Sequence, residues 1–470
     1  MQKYKVIIIG AGSAGLSAVD EIIKETDDYL LIQDGPLGTS CARVACMPTK
    51  ALIEVADLYH CRHHFRKRGI TGAEKLRLDP IKAMAYVRGL RDYFVSGMVA
   101  YSESLGDRLL SGRARLLSAH EVAVEEQRFT AERIIIATGS RPVIPEKWLP
   151  LRESLLTTDE FFEQTDLPAR LAVIGLGPAG LEFAQALCRF GLAIQGIEVT
   201  TLIGGLSDPK VSDAAKAVFS SEFPLHLGVD AALEKSAGGI RVLAGSEDFT
   251  VDKVLLAIGR QPNLEGLGLE SLSMELDNQG MPVYNDGTMQ VGDLPVFIAG
   301  DANGRPALLH EAVDEGLIAG YNAVRGVAHC FQRRIPLAIS FTEPNLATVG
   351  RRFSEFGSEE IVIGEHDFSR QARAMMSGRN TGLVRVYVAK SDGLLLGAEM
   401  AAPAAEHMAH LLALAIQQQL NVYQCLKMPF YHPVVEEGLR SALTEAARKL
   451  EGEFSIENLL CGSAPPSCIC

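Results

Sequence analysis

The sequence predicts an α/β fold that contains one strand–loop–helix plan twice. Three observations carry this expectation: two glycine loops of equal spacing, each preceded by a short β-forming run; a second pair of matching segments downstream of them; and the same order in both copies. Duplicated α/β units explain all three economically.

The first copy opens with Lys5-Val6-Ile7-Ile8-Ile9, a buried-strand pattern that runs into Gly10-Ala11-Gly12-Ser13-Ala14-Gly15 and then an apolar helix through Val19 and Ile23. In this context Gly10, Gly12 and Gly15 form a dinucleotide fingerprint: they allow a tight turn, close approach of a pyrophosphate, and packing of helix on strand. Unpaired N–H groups at the helix start would receive the anion. The second copy follows Arg170-Leu171-Ala172-Val173-Ile174, with Gly175, Gly177 and Gly180 in the fingerprint positions.

An acidic residue is expected a little over twenty positions beyond the first glycine, where it accepts from a ribose 2′-OH. In the second copy it is Glu198, and a carboxylate there repels a 2′-phosphate, which favours NAD(H) over NADP(H). The same interval in the first copy lands on Gln33, with Asp34 beside it. A glutamine amide can also bond ribose hydroxyls.

The duplication extends to a later pair of segments. The stretch from Phe129 through Ala137-Thr138-Gly139-Ser140 to Pro142 recurs from Phe249 through Ala257-Ile258-Gly259-Arg260 to Pro262, offset by 120 residues, whereas the glycine loops are offset by 165 (Gly10 to Gly175). The first unit therefore carries about 45 extra residues by difference, and Cys41 and Cys46 lie within that excess.

Cys41 and Cys46 have the look of a redox-active dithiol. In a regular helix five residues rise about 7.5 Å, beyond the ~7 Å Cα limit for a disulfide. A bridge would need a distorted turn, and strained, exposed bridges are the easily reduced ones. The other reading is two buried thiols near a helix start.

Length and composition narrow the class. At 470 residues the chain has room for about three domains. A net charge of −13 argues against a nucleic-acid or anionic-membrane partner. Neither a signal-peptide pattern nor an 18-residue apolar run is apparent, so no membrane span is expected. Nine cysteines in such a chain read as reduced thiols in a cytoplasmic setting.

These residues together resemble the pyridine nucleotide–disulfide oxidoreductases, and most of all the dihydrolipoamide dehydrogenase branch of that flavoenzyme family. The resemblance spans Lys3 to Leu443 and includes Cys41 to Cys46 with Pro48-Thr49-Lys50, Phe297-Ile298-Ala299-Gly300-Asp301, Phe341-Thr342-Glu343-Pro344, and Tyr431-His432-Pro433 followed by Glu437. It implies FAD on the first fingerprint, with Thr138, Gly139 and Asp301 contributing, and NAD(H) on the second, with Gly259 and Arg260 among the cofactor residues. Lys50 would lie near the flavin, paired with Glu182. Cys46 would face the flavin, Cys41 would exchange with substrate, and His432, oriented by Glu437, would be the base. In that family the histidine comes from the other subunit, so a homodimer is implied. The dimer segment would run from about Pro336, through strands around Val384 to Tyr387 and Leu394 to Met400, to an apolar helix Met408 to Leu420.

The expected organisation is accordingly two duplicated Rossmann-like domains plus a C-terminal α+β dimerisation domain. Residues 1–150 would bind FAD and carry the dithiol, 151–268 would bind NAD, and 269–337 would complete the FAD region. Residues 338–452 would form the interface, and 453–470 a flexible arm with Cys461, Cys468 and Cys470. Thr39, Ala45, Phe430 and Val434 depart from the usual family pattern. The His/Glu pair argues against mercuric reductase, and Glu198 against an NADPH-linked glutathione reductase. The expected activity is electron exchange between NAD(H) and a small thiol or lipoyl-domain substrate. Two alternatives stand beside it: NADH-dependent reduction of another disulfide, persulfide or metal-thiol through Cys468 and Cys470, and a non-catalytic thiol-rich metal-binding flavoprotein. His60-Cys61-Arg62-His63-His64 lacks a zinc-module ligand set and reads as a basic, solvated helix face, so no metal site is expected.

Overall fold

Continuous apolar runs such as Val6–Ile9 must be covered on both faces, and in the computed structural model they form the centre of parallel sheets. The structure describes residues 2–357 and 360–450. Two units make up the chain. The first takes the chain up to Val55 with Leu78–Leu167 and Leu255–Arg333; the second takes Ala56–Arg77, Pro168–Val254 and the chain from Arg334 onward.

The first unit is built on a seven-stranded sheet ordered Leu109–Ser111, Tyr29–Gln33, Gln2–Ile9, Gln127–Ile136, Glu121–Val124, Ala114–Ser118, with Val296–Ile298 also against Gln127–Ile136. Gln2–Ile9 is parallel to both neighbours, so that Ile7 lies opposite Leu30 and Ile134. Gln127–Ile136 is long enough to take two partners along one edge: its first residues pair antiparallel with Glu121–Val124, its last three parallel with Val296–Ile298. The helices Ser13–Ile22 and Leu309–Ala323 pack closely together. A Cβ on Gly316 would lie 2.2 Å from the Ala14 carbonyl oxygen, so only glycine permits this approach.

The duplicated segments meet each other within this unit. Ser140–Pro142 and Arg260–Pro262 form a two-stranded antiparallel ribbon. Asn263 N–H donates to Gly139 O at 2.9 Å, and Val143 N–H donates to Gly259 O at 3.1 Å. These are equivalent bonds under the 120-residue offset, so the repeats are related by a local pseudo-two-fold.

The second unit contains the parallel strands Arg170–Ile174, Ala193–Glu198 and Leu225–Leu227, the helix Pro178–Phe190, and an antiparallel three-stranded sheet over Ala231–Val251. Its C-terminal part is α+β, as expected. Five antiparallel strands run in the order Leu337–Ser340, Asn345–Gly350, Leu395–Ala402, Leu383–Ala389, Ile361–Asp367, and the helices Ala405–Gln417 and Glu437–Lys449 share their core. The first of these helices begins and ends three residues earlier than the sequence suggests. Residues with positive φ flank it at Ala404 and Gln419.

A buried polar network lies inside this unit. Asp208 is fully buried, caps the helix Pro209–Glu222, and pairs with Arg385 and with the Tyr387 hydroxyl at 2.9 Å. Glu399, also fully buried, accepts the N–H groups of Ser207, Asp208 and Phe353 at 2.7, 2.9 and 3.1 Å. Charges at this depth persist only when paired and hydrogen-bonded.

Candidate active site

Thr39 starts the dithiol segment by capping it: its hydroxyl oxygen accepts the Ala42 N–H at 3.2 Å. A one-turn helix, Ser40–Arg43, then fails at Val44, whose φ of −136° leaves helical space. The Ser40 carbonyl takes both the Val44 and the Ala45 N–H at 3.0 Å, which widens the turn before the helix Cys46–His60 begins. The five-residue step is thus broken rather than regular, and this is the distortion the spacing requires for the two sulfurs to meet.

They do meet, as thiols rather than a disulfide. The Cys41 thiol and the Cys46 side chain share a hydrogen bond, and this bond is the largest influence holding the Cys41 pKa well above the usual thiol value. Burial and the neighbouring Cys46 charge push the same way; the Cys46 backbone N–H and the Lys50 ammonium pull it down. Their pull is present, but in the dithiol state the shared hydrogen bond and burial outweigh it.

Two adjoining cavities in the first unit flank the glycine turn. The smaller, of about 140 Å³, is lined by Gly12, Cys41, Cys46, Gly139, Arg260 and Asp301. The larger, of about 480 Å³, is lined by Gly10, Gln33, Asp34, Arg113, Thr138 and Arg141 among others. Gly10 has φ +112°, and a Cβ there would lie 2.2 Å from the Ala137 oxygen; Gly15 packs against the Gly10 carbonyl in the same manner. A Cβ on Gly12 or Gly139 would meet nothing within 4 Å, so both backbones face open space. The helix Ser13–Ile22 has no side-chain cap. Thr138 Oγ1 is buried with no partner among the described residues. An elongated, polar, anionic ligand fits this trough, because it would supply partners for the exposed N–H groups and the orphaned hydroxyl.

Asp301 accepts the Ser140 hydroxyl at 2.6 Å and lines the smaller cavity. Arg260 lines it too, donating to Ser140 and to Asp159. Sequence reasoning missed Ser140 and Asp159 as site residues; the offset of 120 between Ser140 and Arg260 was the available signal. Gly259 adopts φ +105° and anchors the ribbon through its carbonyl.

Gln33 is used differently from the sequence expectation. Its Oε1 accepts the Ala11 N–H at 2.7 Å, bracing the glycine loop, and its Nε2 donates to the neighbouring Asp34 carbonyl at 2.7 Å. Asp34 is exposed on the larger cavity. In the second unit Glu198 does the same for its own loop, accepting the Leu176 N–H at 2.7 Å through one oxygen and the Thr200 N–H at 3.2 Å through the other. Gly175 has φ +92°, Gly177 faces open space, and Gly180 is buried in the helix behind them.

The remaining candidates are positioned within their own units. Glu182 is buried in the second unit and accepts the Phe341 N–H at 2.8 Å, while Lys50 belongs to the first. In the second unit His432 Nδ1 lies 3.0 Å from Glu437 Oε1, and the Val434 N–H donates to Glu437 Oε2 at 3.3 Å. The bond to His432 is the leading reason the Glu437 carboxyl lies below its usual range. The imidazole is exposed, as is Tyr431 beside it. The rings of His60 and His63 lie 5.2 Å apart, but no group of three ligands that could hold a metal occurs among the described residues. Cys461, Cys468 and Cys470 lie outside the described residues.

The family model for pyridine nucleotide-disulphide oxidoreductases matches residues 4–316, and the model for the dimerisation domain of that family matches residues 336–443. The chain belongs to this family. The oxidoreductase is 31% identical over 460 residues to a dihydrolipoyl dehydrogenase of Thermus scotoductus, covering 96% of this chain and 98% of the relative. It is 27% identical over 458 residues to the Pseudomonas aeruginosa enzyme of that name, covering 94% and 97%. Among solved structures, LpdA of Mycobacterium tuberculosis superposes with a TM-score of 0.81 at 23% identity, covering 96% of this chain and 100% of that one. A Cu(II) complex of RclA, an HOCl-induced flavoprotein disulfide reductase of Escherichia coli, gives 0.81 at 20% identity, covering 94% and 99%. The likeness of these two structures is one of fold.

Membership makes the oxidoreductase an NAD-linked flavoprotein that uses FAD and NAD(H). Its dimerisation domain indicates a homodimer. Among the described residues no helix is long and apolar enough to cross a membrane.

Proposed function

We infer that the oxidoreductase exchanges electrons between NAD(H) and a dithiol of the dihydrolipoyl class through Cys41 and Cys46. The observation that carries this reading is the hydrogen-bonded thiol pair across a broken helix, at the rim of a cavity shared with Gly12, Gly139 and Asp301. FAD, when bound, supplies the passage of an electron pair between the dithiol and NAD(H). The first glycine loop, the uncapped helix start, Thr138 and Asp301 would hold it; Gly175, Gly177, Gly180 and Glu198 would hold NAD(H), with Glu198 opposing a 2′-phosphate.

In the oxidising direction His432 takes a proton from a substrate thiol, its Nδ1–H held by Glu437. The substrate thiolate attacks Cys41 of the Cys41–Cys46 disulfide, forming a mixed disulfide and releasing Cys46 as thiolate. The second substrate thiol then attacks the substrate sulfur in that bond, its proton passes to the departing Cys41 sulfur, and the substrate leaves as a cyclic disulfide. Lys50 steadies thiolate charge, and its pairing with Glu182 belongs to the same reading. The exposure of His432 in the single chain suits a base that serves the dithiol of the other protomer in the dimer. The thiol content accords with a cytoplasmic setting.

Tyr431, exposed beside His432, favours a second reading: a disulfide or persulfide substrate with an apolar body, reduced at the expense of NADH. Anaerobic titration of the protein with NADH, followed by assay with dihydrolipoamide and NAD+, separates these. The dithiol mechanism predicts a long-wavelength absorption band that disappears in Cys46→Ser. Reduction with no such band sinks the mechanism, and a band without dihydrolipoamide turnover sinks the substrate.

A further inference from the structure

We propose that Asp159 is a positioning residue for the flavin nucleotide, acting at a distance through Arg260 and Ser140 on Asp301. The proposal rests on the reading of the first fingerprint as the FAD site and names a residue that no motif marks. Arg260 Nη1 and Nη2 donate to Asp159 Oδ1 and Oδ2 at 2.6 and 3.2 Å, a bidentate pair with both side chains largely shielded. The same guanidinium donates from Nη2 to the Ser140 carbonyl at 2.8 Å and from Nε to the Ser140 hydroxyl at 2.8 Å.

Because a guanidinium can only donate, Ser140 Oγ must accept from Arg260 and turn its own proton elsewhere. That proton goes to Asp301 Oδ2 at 2.6 Å. The relay has a fixed direction: Asp159 holds Arg260, Arg260 orients Ser140, and Ser140 donates to Asp301. Its consequence for the cavity is electrostatic. Asp301 receives a neutral hydroxyl on Oδ2 instead of a guanidinium fork across both oxygens, and its Oδ1, without a partner among the described residues, remains an acceptor for a polyhydroxyl chain.

Without Asp159 the guanidinium loses its bidentate anchor while an unneutralised carboxylate, Asp301, stands one hydroxyl away. Arg260 would then compete directly for Asp301. The pseudo-two-fold explains how the device arose: Ser140 and Arg260 are equivalent positions of the two repeats, brought face to face by the ribbon and given opposite roles.

The test is the dissociation constant of FAD, measured by flavin fluorescence on the full-length protein. Asp159→Asn and Ser140→Ala are each expected to weaken FAD by about tenfold, the scale of one hydrogen bond to a charged group. Since both act on one relay, the double variant is expected to bind no worse than about tenfold, rather than the roughly hundredfold of independent sites. Ser140→Thr, which keeps the hydroxyl, retains near-normal affinity. Multiplying effects, or Asp159→Asn binding FAD like the parent protein, overturn the proposal. Should Asp159→Asn not fold, Ser140→Ala with unchanged FAD affinity overturns it equally. A parent protein that takes up no FAD would instead refute the underlying reading of the site.

Discussion

The side-chain oxygen of Gln33 accepts the Ala11 N–H at 2.7 Å, and the glycine loop of the second unit repeats the arrangement with Glu198 and Leu176 at the same distance. Twenty-two residues separate the partners in both copies. What the repeats share is therefore a brace on the turn, which either an amide or a carboxylate can provide.

Gln33→Ala removes that brace and leaves a part-buried N–H without its acceptor, so a loss of about 1 to 3 kcal/mol in unfolding free energy is expected. Gln33→Glu keeps an acceptor oxygen and should stay within ~1 kcal/mol of the parent. Denaturant unfolding of the three proteins checks both. Equal stability of Gln33→Ala and the parent would refute the role.

The glycine loops were legible in the sequence because a tight turn and a close helix–strand approach demand glycine at fixed spacing. Asp159 was not legible. It reaches Arg260 across 101 residues of chain, and nothing in local spacing shows that the repeats pair antiparallel. Thr39 shows the opposite failure: in the sequence it was only a departure from the family pattern, whereas its hydroxyl caps the helix that carries Cys41. His432 and Glu437 are five residues apart and gain meaning only within the wider pattern. Spacing pointed to Gln33 but does not say whether an amide faces ligand or loop, and its oxygen accepts the Ala11 N–H.

Cys46 raises the Cys41 pKa through their shared hydrogen bond, and Lys50 lowers it. Cys46→Ala should therefore lower the Cys41 pKa, giving more thiolate at a given pH and faster alkylation by iodoacetamide. Adding Lys50→Met to that variant removes the stabilising charge and should move the alkylation profile back to higher pH. Profiles that coincide for the single and double variants would exclude Lys50 from the thiolate's electrostatics.

Glu437 holds His432 by Nδ1, the geometry that aims the other ring nitrogen outward. Glu437→Gln removes the charged acceptor and is expected to lower kcat for dithiol oxidation by about a hundredfold, the lower range for acid–base catalysis. Reduction of an artificial dye by NADH, which needs no thiol proton transfer, should be nearly unchanged. Parallel loss of both activities would mean the residue is needed for folding or cofactor binding instead.

Glu343 lies in the second unit among Arg379, Asp57, Arg189 and Glu222, with Arg379 3.2 Å from Oε2 and Oε1 buried without a partner. Burial is the main reason its carboxyl is pushed from 4.5 up to about 7; Arg379 and Arg189 pull down, Asp57 and Glu222 push up. Between those two values the folded chain holds a proton that the unfolded chain has released. Stability from this group therefore falls as pH rises from about 4.5 through about 7. Glu343→Gln cannot lose that proton. Relative to the parent it should gain stability across this window, by roughly 1 to 3 kcal/mol at the upper end. Chemical denaturation at pH 5 and pH 8 measures the difference directly. A gap between the two proteins that does not change with pH would show that Glu343 is ionised throughout, held by Arg379 more firmly than its burial opposes.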